Sequence, residues 1–193
     1  MSSKVSAVMP TLDSILEELL ELMGNLHANI PKTFKPGLDR PTIVDAFQSI
    51  DFDPPEELIT LYQWRNGLDD SLALKLEMEH EILPGSYFLS LEDAIAQHAS
   101  NETWREAGEP LWESFRILSD HSNGGYSVAG KASGGKVIER CLHEPWAVAF
   151  ASISTLFQLS AECYKKDVYH VDDMFLEADW DLFESLEQKF KVG

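Results

Sequence analysis

Cysteine occurs only twice in the 193 residues, at Cys141 and Cys163, and neither sits in a Cys-x-x-Cys or Cys/His spacing. That leaves free buried thiols in a reducing compartment as the expectation, with one optional disulfide as the alternative. Long apolar runs are missing as well. None reaches 18 residues, so no transmembrane helix is expected. The opening stretch is broken by Asp13, Glu17, Glu18 and Glu21, which denies it the continuous apolar region of a secretory signal. A cytoplasmic protein is the expectation that follows.

Basic residues are scarce. Lys and Arg number 15 against 33 acids, for a net charge of −18. Residues 51–120 carry 16 acids and 4 bases, so the middle of the chain holds most of the field. Such a field repels phosphate backbones and anionic headgroups, which argues against nucleic acid and membrane as partners. It attracts a basic protein, or it serves solubility alone and keeps the chain a monomer or weak dimer.

Motifs of chemistry are also lacking. There is no Gly-x-Gly-x-x-Gly, no phosphate-binding P-loop, no His-Glu-x-x-His and no Gly-x-Ser-x-Gly. The six histidines are scattered, with no pair at i, i+3 or i, i+4. Glu79-His80-Glu81 comes nearest to a ligand cluster, but consecutive side chains do not converge on one ion. Asp69-Asp70 and Asp172-Asp173 read as loop or capping residues. The consecutive Asp120-His121-Ser122 holds the residue types of a hydrolase triad without its separation along the chain. No cofactor, metal site or catalytic residue is expected.

The chain does have ample material for a core, with 44% hydrophobic residues and 5 Trp, 10 Phe and 5 Tyr. Apolar residues at three- and four-residue steps predict an amphipathic helix over 11–29. Three prolines in 31–41 predict a linker or extended arm, and a short helix follows over 41–47. Asp53-Pro54-Pro55-Glu56-Glu57 reads as a helix start with Asp53 as N-cap, and Asn66-Gly67 as its stop. Ser90 caps a further helix running toward Trp104. A turn and a short strand are predicted within 82–89, and further strands at the end of 111–119 and over 126–129 and 136–140, with Trp112, Ile117 and Tyr126 in the core sheet. Their hairpin turns lie at Asn123-Gly124 and Gly134-Gly135. Helices over 150–166 and from Asp179 onward close the chain. Segregated elements of this kind indicate an α+β fold, with a central, mostly antiparallel sheet flanked by helices. The expected organisation is a helical extension over 1–49 and an α+β domain over 50–193, forming one compact unit.

Residues 54–67, PPEELITLYQWRNG, resemble the opening motif of the SUKH superfamily, which includes the Smi/Knr-type cell-wall-assembly regulators; Pro55, Leu58, Leu61, Tyr62, Asn66 and Gly67 carry the match. Leu83 to Glu92 is similar to the family's second block, Trp112 to Val128 to the third, Gly135 to Ile138 to the next strand, and Phe150 to Phe157 to the closing helix. The blocks cover about residues 50–160 in the family's order. The chain departs from the pattern at Phe115-Arg116, where the family has Trp and Pro, and at Asn123-Gly124-Gly125, where it has three glycines. The resemblance implies a non-enzymatic protein-binding domain: an immunity protein that neutralises a toxin, here a basic one, or a regulatory scaffold for cell-wall assembly. An unrecognised hydrolase or metal enzyme is the alternative from another class. The expected binding face is the acidic segment of Asp69, Asp70, Glu77, Glu79, His80 and Glu81, which lies between two matched blocks, where loops vary freely.

Overall fold

The computed structural model describes residues 10–76, 81–100, 113–120, 124–140, 147–172 and 175–192. The N-terminal periodicity becomes helix α1, Leu12–Leu26, with the Thr11 hydroxyl accepting from the Ser14 amide as N-cap. Its stripe of Leu12, Ile15, Leu16, Leu19 and Met23 is buried, and it packs against α3 (Glu56–Trp64) and α6 (Ile153–Lys165). These residues belong to the same hydrophobic cluster as the sheet. Burying such a stripe is what stabilises a helix of this length.

The proline-rich segment is more ordered than a linker. Pro31 lies in a 3₁₀ turn over Ile30–Thr33, and strand β1, Phe34–Pro36, pairs antiparallel with β2, Arg65–Leu68. A Cβ on Gly37 would fall 1.8 Å from the Gln63 carbonyl oxygen, so the arm lies flush on the end of α3. Helix α2, Arg40–Gln48, is capped by Asp39.

Helix α3 starts later than expected. Its N-cap is Pro55, with no side-chain cap, and Asp53 instead offers its carbonyl to the Lys131 amide at 2.9 Å. Two successive prolines hold 54 and 55 extended, and this moves the start past Asp53. The helix ends at Trp64, and Asn66-Gly67 belong to β2 rather than to a helix cap.

After α4, Asp70–Lys75, the chain enters a five-stranded antiparallel sheet. In spatial order it is β3 (Tyr87–Phe88), β4 (Ser114–Ser119), β5 (Gly125–Ala129), β6 (Val137–Arg140) and β7 (Ala147–Phe150). Helix α5, Leu91–Ser100, intervenes between β3 and β4. Trp104 and Trp112 lie outside the described residues. The register aligns Phe115, Val128, Val137 and Phe150 across four neighbouring strands, and all four are fully buried. Ile117 and Tyr126 are buried in β4 and β5, as expected.

The β4–β5 hairpin forms, but Asn123 lies outside the described residues and the positive φ falls on Gly125, at 125°, rather than on Gly124. Two further pieces correct the sequence reading. Ala147–Phe150 is a strand, so the helix predicted from 150 begins at Ile153, with Ser152 as cap. Residues Tyr169–Asp172 (β8) and Phe175–Ala178 (β9) form an antiparallel hairpin, which puts Asp172 in a strand. Asp179 then caps α7, Trp180–Phe190, as anticipated.

Candidate partner-binding site

The six residues of the expected binding face do not form one described cluster. Asp69 is the N-cap of α4. Its carboxylate accepts from the Leu72 amide at 3.0 Å, and its own amide donates to the Thr33 carbonyl at 2.7 Å. Asp70 occupies the first turn of that helix. Glu77, Glu79 and His80 lie outside the described residues. Glu81 accepts from the Gly85 amide, which closes the turn from Glu81 to Ser86. Leu74 on α4 is exposed and lies between these acids in sequence.

The turn holding Glu81 is fixed to the body of the protein. The Ile82 carbonyl receives the Ser160 hydroxyl at 2.5 Å and the Tyr169 hydroxyl at 3.3 Å. Two residues further on, Pro84, Gly85 and Ser86 form a wall of an open cleft of about 500 Å³. The floor and second wall come from Tyr126, Glu139 and Arg140 of β5 and β6, and the third from α7. Four carboxylates line the cleft against one guanidinium: Asp120, Glu139, Glu184 and Glu187 against Arg140.

Most of these charges are held in place. Lys191 reaches Glu139 at 2.8 Å and Glu187 at 3.0 Å. Burial works against the charge on Lys191, but hydrogen bonds to the two glutamates outweigh it and keep its pKa above the ordinary value. The Tyr126 hydroxyl lies 3.4 Å from Glu139 and 3.3 Å from Glu187. Asp120 accepts from the Gly124 amide at 2.6 Å. Behind it, burial and then the charge of Arg140 lower the pKa of Arg116, while Asp120 opposes them.

At the rim stands Trp180, 55% exposed on the first turn of α7. Its ring meets Phe183 edge-on, with centroids 6.0 Å apart, and rests near Gly85. Trp side chains are usually well buried, and this one stands open at the edge of an acidic cleft.

The arrangement offers less for catalysis. Among the described residues, no group of three His, Cys, Asp or Glu could hold a metal ion. Cys163 is a free thiol whose pKa burial pushes up to about 12, so it is protonated and a poor nucleophile at neutral pH. Cys141 and the His121-Ser122 pair lie outside the described residues. His98 is partly buried against the rings of Phe52 and Phe115, its Nδ1 has no hydrogen-bond partner among the described residues, and burial lowers its pKa. No described helix is long and apolar enough to cross a membrane.

The second and third SUKH-like blocks supply Pro84 to Ser86 and Tyr126 to the cleft, whereas the residues of the opening block lie elsewhere, in the scaffold. Leu58, Leu61 and Tyr62 are fully buried. Asn66 Oδ1 accepts from the Leu91 amide at 2.8 Å, and its Nδ2 donates to Glu92 at 3.0 Å, so β2 is stitched to the start of α5. Gly67, at φ 76°, brings the same strand so close that a Cβ would fall 2.2 Å from the Ser90 nitrogen. A scan against protein-family models finds no match to the chain, and a search of curated proteins finds no relative.

Proposed function

We propose that this chain is a non-enzymatic, protein-binding domain of the SUKH type, and that it acts as an immunity protein by occupying a basic toxin domain. The observation that carries the reading is a division of labour. The residues of the family-like opening block hold strand to helix in the interior, as Asn66 and Gly67 do. The acidic groups, by contrast, crowd an open cleft and the surface leading to it. A fixed scaffold with a separate charged surface suits a binder whose specificity resides in loops. A net charge of −18 draws a basic partner in and speeds the encounter.

The test is capture followed by inhibition. The purified full chain, immobilised and exposed to lysate of its native cells, should retain a basic protein that harms a host when expressed alone. Co-expression of this chain should relieve the toxicity. Retention of several unrelated proteins, none of them toxic, would overturn the immunity reading and favour a regulatory scaffold.

A further inference from the structure

The cleft has a shape and a chemistry that select among basic side chains. Trp180 and Glu184 stand at i and i+4 on α7, so they are neighbours on one helix face. Trp180 is more than half open, and Glu184, exposed beside it, makes no ion pair among the described residues. Asp179 and Asp181 flank the indole in sequence, and these acids offset the positive end of the helix on which it sits. Below the rim, Phe183 and Tyr126 are buried and line the cleft with Pro84, giving a surface for an aliphatic stem. The deeper carboxylates, Glu139 and Glu187, are already shared by Lys191.

We infer that this cleft receives one arginine side chain of the protein partner, its guanidinium stacked on the Trp180 ring and hydrogen-bonded to Glu184. The inference rests on the binding function proposed above and names the residue type that its cleft recognises. Arginine fits better than lysine because its charge is planar. It can lie on an indole and still direct N–H donors at a carboxylate, whereas an ammonium is a compact, strongly hydrated point charge. Charge complementarity sets the sign of the occupant, and the open aromatic rim sets its shape. The walls are ready-made: the Glu81–Ser86 turn is pinned by Ser160 and Tyr169, and β6 is tied to α7 through Lys191. Little ordering therefore accompanies binding.

The cleft can be tested without the partner. N-acetyl-arginine amide is titrated into the isotope-labelled full chain, and the indole N–H of Trp180, assigned by its loss in Trp180→Phe, is followed by NMR. A saturable shift at that resonance is expected, with weaker binding of N-acetyl-lysine amide and no response to the neutral isostere N-acetyl-citrulline amide. Glu184→Gln should weaken the arginine response about fivefold. Equal responses to arginine and citrulline, or no shift at Trp180, would overturn the inference while leaving the proposed function standing. With a captured toxin in hand, Trp180→Ala should raise its dissociation constant about tenfold or more. Unchanged affinity would exclude the cleft as the contact. Failure to capture any toxin is a separate readout, and it bears on the proposed function alone.

Discussion

Gly67 and Gly134 share a backbone conformation and differ in their surroundings, so alanine at each position separates two costs. Their φ angles are 76° and 79°. An L side chain in that region costs about 1 kcal/mol or somewhat more. At Gly134 nothing lies within 4 Å of an added Cβ, so Gly134→Ala should lose about 1 kcal/mol. At Gly67 the Cβ would fall 2.2 Å from the Ser90 nitrogen and 2.6 Å from the Leu89 carbonyl carbon. Both are backbone atoms at the entrance to α5 and cannot swing aside. Relieving such a clash adds typically about 1–3 kcal/mol, so Gly67→Ala should lose about 3 kcal/mol in all. Urea denaturation measures both, and the slope with urea should not change, since neither variant alters the surface exposed on unfolding. Each kcal/mol corresponds to roughly 2–4 °C in Tm for a chain of this size. Asparagine enters the left-handed region more readily than alanine. Gly134→Asn should therefore recover part of the loss, and Gly67→Asn should recover none. Equal losses for the two alanine variants would refute the claim that the close approach to α5 is what requires glycine at 67.

Other outcomes follow from single sites. Gly124→Ala should destabilise nearly as much as Gly124→Val, because a Cβ there would fall 2.3 Å from an Asp120 carboxylate oxygen and 2.8 Å from the Arg140 carbonyl. Thermal melts compare them, and a loss confined to valine would count against the steric account. Tyr62→Phe should leave stability unchanged or raise it by up to about 1 kcal/mol in urea denaturation, since the Tyr62 hydroxyl is buried without a partner among the described residues. His98 is held below the ordinary histidine range mainly by burial, against a hydrogen bond to the Ser114 backbone. The unfolded chain therefore takes up a proton first as pH falls below about 6.5, and stability should decline from there down to the folded pKa. In His98→Phe that part of the pH dependence, read from urea midpoints, should vanish.

Legibility in the sequence followed the length and regularity of each element. Helix α1 was readable from apolar spacing, α5 and α7 also from Ser90 and Asp179 at their starts, and the β4–β5–β6 meander from its turn residues. Phe150, the last residue of β7, reads as part of the following helix because apolar residues run on from it into α6, with Ser152, extended at φ −163°, the one polar residue between them. The β8–β9 hairpin has four-residue strands and no Gly or Pro in its connection; Asp172-Asp173 read as loop or capping residues, but strands this short beside them gave no periodicity to read. Asp69 and Asp70 read both as loop or capping residues and as part of an acidic binding face, and Asp69 does cap α4. The cleft was invisible because its walls come from residues 84–86, 120, 125–126, 139–140 and 180–187, which only the sheet register and the seating of α7 bring together.

The seating of α7 also explains how an acidic cleft can be stable before any partner arrives. Glu139 projects from β6 and Glu187 from α7, and both reach the Tyr126 hydroxyl, so their charges are forced near one another. Two carboxylates so placed would push the helix off the sheet. Lys191 lies one turn beyond Glu187 and binds both, which turns the repulsion into a clasp between helix and strand. The next residue continues the attachment, as the Val192 amide donates to the Ala149 carbonyl on the outer edge of the sheet at 2.8 Å. The deep carboxylates are thus spent on holding the walls, and the shallow ones near Trp180 stay open to solvent.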